Sequence, residues 1–490
     1  MPAETSDRKM DMPRILLAAD RSSSGKTTIT AGLLASLTSR GYSVQPFKVA
    51  LDYIDPSYHS EITGRRARNL DGYLMEEEGV LDVFTHACEV DGKADIAVIE
   101  GVRGLFEGLE SLGDTGSTAQ IAKMLNCPVI LIINARSITR SAAALVNGYK
   151  NFDPDVNIVG VILNNIGGMR HASKAKEAVE HFTGLPVLGI IPRDNAMQIS
   201  MRHLGLVPAI EERRRINDLD ERIAAIEKRV SEGIDIDKVL ELARQAEAVE
   251  RPETSVFTSR KPKGESPVIG IALDEAFNFY YHNNLELLEL AGARIEYFSP
   301  IHDSHLPKVD ALYLGGGYPE LFASELEANE SMRKDIKQAS ENGLPIYGEC
   351  GGLMYLTERI TTGVKGKGTY HMAEMPESTH EMVGALPGHS LMGHKRVVSY
   401  NIGALDVDTI IGKSGNSFIG HEFHHSEITE IPSDAKFAIK LSRGTGIKDG
   451  WDGLITNNTL GAYAHLEAVS YREFATSFVD SAAKYRSEKA

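Results

Sequence analysis

A chain of 490 residues is too long for one ordinary domain, and 42% hydrophobic with 24% charged residues excludes a disordered polyelectrolyte. A formal charge of −16, from 68 acidic against 52 basic groups, argues against a nucleic-acid partner, because neutralising phosphates needs clustered Lys and Arg. Three cysteines (Cys88, Cys127 and Cys350), a polar start and no apolar run long enough to span a bilayer point to a cytoplasmic protein in a reducing compartment, without a membrane partner.

Residues 14–19 (RILLAA) read as a buried strand, and a helical pattern runs from Gly25-Lys26-Thr27 to Ser39. Strand-like runs follow at 43–49, 94–99, 128–134, 157–164 and 186–191, with helical stretches between them. Buried apolar runs alternating with helices predict an α/β fold with a mostly parallel, doubly wound sheet.

Between strand and helix stands Asp20-Arg21-Ser22-Ser23-Ser24-Gly25-Lys26-Thr27-Thr28. This is the context of a phosphate-binding loop, in which backbone N–H groups and the helix N-terminus cradle phosphate oxygens. Asp20 stands where the strict pattern has its first Gly, but the GKTT core is intact. Ser24, Gly25, Lys26, Thr27 and Thr28 are therefore predicted to hold ATP, with Lys26 on the β/γ-phosphates and the Thr27 hydroxyl on Mg²⁺. Glu100, at the carboxyl end of a buried strand, is costly unless a metal or partner meets it, and is assigned to the metal with Thr27 and Asp52. Lys48, Asp52 and Asp55 follow the second strand, on the edge where open α/β sheets bind ligands; Lys48 is read as stabilising a transferring phosphoryl group.

Residues 211–251 are dense in Glu and Arg, and 252–266 in Pro, Ser, Thr and Lys. They read as a charged helical segment with a solvated face, then a linker. The expected organisation is a synthetase domain at 13–210, this segment at 211–266 and a second α/β domain at 267–486.

The second domain opens with a strand at 267 and has others at 311–315 and 345–349; 380–470 reads as strand-rich. Gly348-Glu349-Cys350-Gly351-Gly352 lies between strand and helix and reads as a nucleophile elbow with Cys in place of Ser. The helix N-terminus is expected to favour a thiolate there. Backbone N–H groups of Gly351, with Gly316 or Gly317, are candidates for an oxyanion hole. His465 and Glu467, at i and i+2 on a predicted strand, share a face and are read as the base and its orienter. His421, His424 and His425 lack the paired spacing of a zinc site and read as substrate or interface residues.

These segments, with DYIDP, IEGVRGLFEG, RHLGLVP, GGGYPE and GHEFHHSEI in this order, resemble the cobyrinic acid a,c-diamide synthases and the related Ni-sirohydrochlorin enzymes over nearly the whole chain. The resemblance implies a dethiobiotin-synthetase-like P-loop domain fused to a class I glutamine amidotransferase. It implies a carbon–nitrogen ligase that uses ATP, Mg²⁺ and glutamine to amidate tetrapyrrole acetate groups through an acyl phosphate. It places Asp52, Asp55, Glu100 and Glu107 around the metal and the reacting carboxylate. Arg202 and His203, with Arg65, Arg66 and Arg68, are candidates for the substrate's other carboxylates. The chain departs from the family at Ala19 (usually Gly), Ala50-Leu51 (usually Gly-Pro), Glu107 (usually Asp) and Glu467 (His in many members). The reading admits a homodimer, and a non-catalytic P-loop nucleotide switch is the competing reading from another class.

Overall fold

The structure, a computed structural model, describes residues 8–193, 201–202, 205–206, 219–261, 264–363 and 377–489. The chain divides into two compact units, Met1–Ser255 and Val256–Ala490.

In the first unit, seven strands form one sheet: β1 (Arg14–Ala19), β2 (Val44–Val49), β3 (Arg68–Leu70), β4 (Ile96–Glu100), β5 (Val129–Asn134), β6 (Ile158–Ile166) and β7 (Val187–Pro192). Their order is β3-β2-β4-β1-β5-β6-β7, and every pairing is parallel. Buried branched residues such as Ile15, Leu17, Val98, Ile130 and Ile132 fill it, as a sheet covered on both faces requires. The connection from β1 passes over β4 to reach β2, whereas the one from β4 passes over β1 to reach β5. The chain thus diverges at the carboxyl ends of β1 and β4, the crevice where such sheets bind ligands. Helices α1 (Lys26–Ser39), α2 (Ile54–Thr63), α3 (Glu76–Val90), α4 (Thr118–Met124), α5 (Arg140–Phe152) and α6 (Met169–Thr183) connect the strands.

The charged stretch after position 211 differs from the solvated segment expected. Where described, it forms α7 (Leu219–Gly233) and α8 (Ile236–Ala243), and both join the core through Ile226, Val230, Val239 and Leu240. Leu219, Ile223, Ile226, Val230 and Ile234 recur every three or four residues, a narrow apolar stripe that the surrounding Glu and Arg conceal in composition.

The second unit carries a twelve-stranded sheet. Its strands are β8 (Val268–Ala272), β10 (Arg294–Phe298), β11 (Ala311–Leu314), β13 (Ile346–Glu349), β14 (Arg359–Thr362), β15 (Ser378–Glu381), β16 (His389–Leu405), β17 (Ser417–Thr429), β18 (Lys436–Arg443), β19 (Trp451–Thr456), β20 (Thr459–Ala462) and β21 (His465–Leu466); β9 (Phe277–Phe279) and β12 (Gly316–Gly317) pair separately. The order β10-β8-β11-β13-β20 is parallel, and from β20 the sheet continues through antiparallel β19, β18 and β16. Strand β17 pairs with both β16 and β21, which carries the 420–425 segment to His465. Helices α9 (His282–Leu290), α10 (Gly351–Leu356) and α11 (Glu473–Lys489) complete the parts used below.

Candidate functional site

The turn from β1 into α1 needs two left-handed residues, Ser23 at φ 61° and Gly25 at φ 88°. Gly25 is also required by space: a Cβ there would stand 2.2 Å from Asn164 Nδ2, which donates to the Ser24 carbonyl at 2.7 Å. Asn164 lies on β6 and was not anticipated from the sequence. Asp20, in the place of the usual glycine, accepts from the Ser24 hydroxyl at 2.5 Å and ties the loop to itself. Lys26 is buried and donates to the Arg103 carbonyl at 3.3 Å. Burial, then the charge of Lys48, lowers the Lys26 pKa, so an anion arriving there meets a poorly compensated cation. Thr27 and Thr28 are partly buried in the first turn of α1.

The carboxyl ends of β2 and β4 bring Lys48, Asp52, Asp55 and Glu100 together with Thr27. Lys48 Nζ donates to Glu100 Oε1 at 2.9 Å and to Asp55 Oδ2, and Asp52 Oδ2 lies 3.8 Å away. The Thr27 hydroxyl is 2.7 Å from Glu100 Oε1 and 3.2 Å from Asp55 Oδ2. His59 of α2, which the sequence reading passed over, brings Nε2 within 2.9 Å of Glu100 Oε2, close enough for an ion pair but poorly aligned for a hydrogen bond. Burial would raise the Glu100 carboxyl, but Lys48 and His59 outweigh it and hold it well below the usual range. Burial and the neighbouring Asp52 push Asp55 up to about 7. One lysine thus faces three carboxylates, and the excess negative charge acts with burial to raise Asp55. Among the described residues no group of His, Cys, Asp or Glu stands as a ready metal cage, and the Lys48 ammonium lies amid these carboxylates; their oxygens and the Thr27 hydroxyl are the hard donors a divalent cation would take up.

Ala50, beside this cluster, has φ 67°, and Asn69 Nδ2 clamps the strand exit by donating to the carbonyls of Ala50 and Asp52 at 2.8 Å each. Glycine adopts this backbone without steric strain. An L-residue in the left-handed region costs roughly 1–2 kcal/mol, while glycine loses about 0.5–1 kcal/mol more in chain entropy. Ala50→Gly is therefore expected to raise the first unit's thermal midpoint by about 2 °C. Calorimetry checks this; a fall would mean that the Ala50 methyl contributes more packing than the strain costs.

The remaining substrate candidates are scattered. Glu107 is exposed on the loop after β4, near Gly104 and the Asp20 carbonyl. Arg65 is committed to the fold: its guanidinium donates to Gln45 Oε1, Ser43 Oγ and the carbonyls of Ala87, Asp91 and Gly92. Arg66 is exposed and Arg68 buried. The backbone of Arg202 lies in the short strand Met201–Arg202, paired antiparallel with Gly205–Leu206. The Arg202 side chain and all of His203 lie outside the described residues.

In the second unit, Cys350 sits at φ 48°, ψ −95° between β13 and α10, the strained backbone that a nucleophile elbow imposes. Gly317 has φ 155° and no room for a Cβ, which would stand 2.0 Å from the Ala276 carbonyl oxygen. A Cβ on Gly351 would meet the Gly317 amide nitrogen at 3.0 Å, so the two backbones expected to supply oxyanion donors are adjacent. A Cβ on Gly316 would stand 2.7 Å from His465 Cε1, which puts His465 against the same loop. The Cys350 thiol donates to the Phe423 carbonyl at 3.5 Å. Burial, then the Glu320 and Glu349 carboxylates, push this thiol well above its ordinary pKa. The helix N-terminus expected to favour a thiolate is thus outweighed in the resting site.

Strand β21 ends at Leu466, one residue before Glu467. Glu467 is buried and accepts from Asn283 Nδ2 at 3.0 Å and from the amides of Val469 and Ser470 at 2.9 and 3.2 Å. The His465 ring stacks on His421 at 4.7 Å between centroids, and His421 Nε2 is 2.8 Å from the Tyr281 hydroxyl. His424 stacks on Tyr463 and pairs with the Ser426 carbonyl, so these two histidines face different partners. Cys88 and Cys127 are buried, and burial raises both thiols. Among the described residues, no helix is long and apolar enough to cross a membrane.

Two family models match this chain: the CobQ/CobB/MinD/ParA nucleotide binding domain over residues 15–207 and the CobB/CobQ-like glutamine amidotransferase domain over residues 268–472. The chain is 70% identical over 482 residues to the cobyrinate a,c-diamide synthase of Methanosarcina barkeri, covering 98% of each chain. It is 69% identical over 482 residues to the enzyme of that name from Methanosarcina acetivorans, covering 98% of this chain and 97% of the relative. It is 44% identical over 473 residues to that of Methanothermobacter thermautotrophicus, covering 96% and 99%.

Proposed function

We propose a function from one premise: the chain belongs to the cobyrinate a,c-diamide synthase family. It is a glutamine-dependent carbon–nitrogen ligase that amidates the a and c acetate carboxylates of cobyrinate at the cost of ATP. The observation that carries this reading is 70% identity running through both units at once. A nucleotide switch would need no nucleophilic cysteine, and nothing favours the Ni-sirohydrochlorin alternative over cobyrinate.

In the glutaminase, Cys350 Sγ attacks the glutamine carboxamide carbon as His465 takes the thiol proton. The Gly351 and Gly317 amides meet the developing oxyanion, and His465 returns the proton to the departing ammonia. Water then hydrolyses the thioester to glutamate. In the synthetase, the 24–28 loop holds the ATP phosphates. The substrate carboxylate displaces ADP from the γ-phosphorus, giving an acyl phosphate. Ammonia attacks its carbonyl carbon, and phosphate leaves as the amide forms.

Lys26 and Lys48 flank the transferring phosphoryl group, and Asp52 and Asp55 order the approach of the carboxylate. Mg²⁺, held by Thr27, Asp52 and Glu100, would neutralise the phosphate charge there. The excess of carboxylates over Lys48 supports this assignment.

Purified full-length protein, supplied with ATP, Mg²⁺ and glutamine, is expected to convert cobyrinic acid to a diamide detected by mass spectrometry. Ni-sirohydrochlorin is assayed in parallel. A diamide from Ni-sirohydrochlorin alone would move the enzyme to the other branch; glutamine hydrolysis with neither substrate amidated would keep the chemistry and reject both substrates.

A further inference from the structure

Glu100 meets its neighbours unequally on its two oxygens. Oε1 accepts from Lys48 Nζ at 2.9 Å and from the Thr27 hydroxyl at 2.7 Å. Oε2 makes no hydrogen bond with a described residue, although the side chain is sealed from solvent. Burial would raise this carboxyl, but Lys48, then His59, hold it well below its usual range, so Glu100 is an anion. A buried anion with one oxygen unpaired is costly, and His59 Nε2 stands 2.9 Å from that oxygen.

His59 is also fully buried, and neither ring nitrogen makes a hydrogen bond with a described residue. The two orphaned groups thus face each other at a hydrogen-bonding distance but off the hydrogen-bonding angle. Turning the imidazole about its Cβ–Cγ bond corrects the angle, and that torsion is broad in histidine. The backbone beneath the ring is fixed. The Asp52 carboxylate caps α2 by accepting from the Ile54 and Asp55 amides at 2.9 and 3.1 Å, and the His59 carbonyl accepts from the Thr63 hydroxyl at 2.8 Å. Asp55 and His59, at i and i+4 on α2, share a face. That face delivers Asp55 to Lys48 and Thr27, and His59 to Glu100. Lys48 stands opposite Glu100 in the β2–β4 ladder, so β2 and α2 approach different oxygens of one carboxylate.

We propose that His59 is a positioning residue of the synthetase: by donating to Glu100 Oε2 it fixes the carboxylate so that Oε1 is presented to Thr27 and to the divalent cation of the bound nucleotide. This rests on the reading of Glu100 as a ligand of that cation. A ligand carboxylate that is free to rotate offers its oxygen only part of the time, and an N–H fixed behind it removes that loss. Partners of this kind are worth about 10–100-fold in metal affinity. The role needs no change of charge on the imidazole, because a neutral ring with its hydrogen on Nε2 also donates.

The test compares His59→Phe with His59→Gln in the full chain. Phenylalanine keeps a ring and removes both nitrogens, whereas the glutamine amide can place an N–H where Nε2 stands. Binding of Mn²⁺ to the complex with a non-hydrolysable ATP analogue is read, without turnover, from the electron paramagnetic resonance of the free ion, against the analogue alone. The Mg²⁺ dependence of ammonia-driven amidation of cobyrinic acid is measured alongside. His59→Phe is expected to weaken Mn²⁺ binding by about 10–100-fold and to raise the Mg²⁺ concentration at half-maximal rate by a similar factor. Its kcat at saturating Mg²⁺ should stay within about threefold of the parent. His59→Gln should bring both metal readings back to within about threefold. Mn²⁺ binding by His59→Phe within about threefold of the parent would overturn the proposal. Binding by His59→Gln as weak as that by His59→Phe would overturn it too, since the site would then need the shape of the ring and not its N–H. Should His59→Phe give no first-unit transition by calorimetry, His59→Asn decides. Its amide overlays Nδ1 and stops short of Glu100, so Mn²⁺ binding equal to that of His59→Gln also overturns the proposal. Failure of the underlying reading looks different: the parent complex would hold Mn²⁺ no more tightly than the analogue alone, or Glu100→Gln would hold it as tightly as the parent.

Discussion

Cys350→Ser is expected to reduce glutamine-driven amidation by at least about 10³-fold while ammonia-driven amidation stays within about twofold. The substitution exchanges one atom at the tip of the elbow. The backbone at φ 48°, ψ −95° is set by β13, α10 and the hydrogen bond from the Cys350 amide to the Ala462 carbonyl, so serine keeps the same position. What changes is the nucleophile: an alkoxide is far harder to generate than a thiolate. The resting thiol donates to the Phe423 carbonyl and burial pushes its pKa up, so the proposed activation requires transfer of its proton to a base as glutamine enters, the role proposed for His465. Product formation by mass spectrometry, with glutamine or ammonium chloride as donor, reads both arms. Loss of both activities in a folded variant would refute the separation of the two chemistries.

Lys48→Met is expected to cut amidation with either nitrogen donor by about 10²–10⁴-fold and to leave glutamine hydrolysis measurable. The side chain is nearly fully buried, and its ammonium is the common partner of Asp55, Glu100 and, at 3.8 Å, Asp52. Burial alone would lower its pKa, but the three carboxylates outweigh that and raise it, so the lysine is charged at every working pH. Removing it leaves buried carboxylates facing one another, which typically costs about 3–5 kcal/mol. The loss falls on the first unit. Because the chain's one tryptophan, Trp451, lies on β19, its fluorescence follows the second unit, while calorimetry reports both. A lowered first transition with an unchanged Trp451 transition is the expected signature. Added Mg²⁺ should recover part of the loss by taking the place of the missing charge. Undiminished amidation by Lys48→Met would remove Lys48 from the phosphoryl site.

The phosphate loop and the cysteine elbow were legible because each is continuous in sequence. Phosphate is held by consecutive backbone N–H groups at a helix start, and the elbow is a sharp turn flanked by glycines, so residue order alone encodes them. The six long strands of the first sheet were legible for a related reason: a sheet buried on both faces demands unbroken apolar runs. The three-residue strand Arg68–Leu70 was not, since so short a run gives no periodic signal. Nor was the packing of α7 and α8, whose apolar stripe is narrow and set among charges.

Tertiary structure alone decided which charges meet. His59 reaches Glu100 from a helix, Asn164 supports the phosphate loop from β6, and Glu349 faces His465 across more than a hundred residues. The sequence by itself determined the two chemistries and their order along the chain. The partners of each reacting group came from strand order, because parallel sheets gather the carboxyl ends of strands distant in sequence and burial then forces their charges to pair.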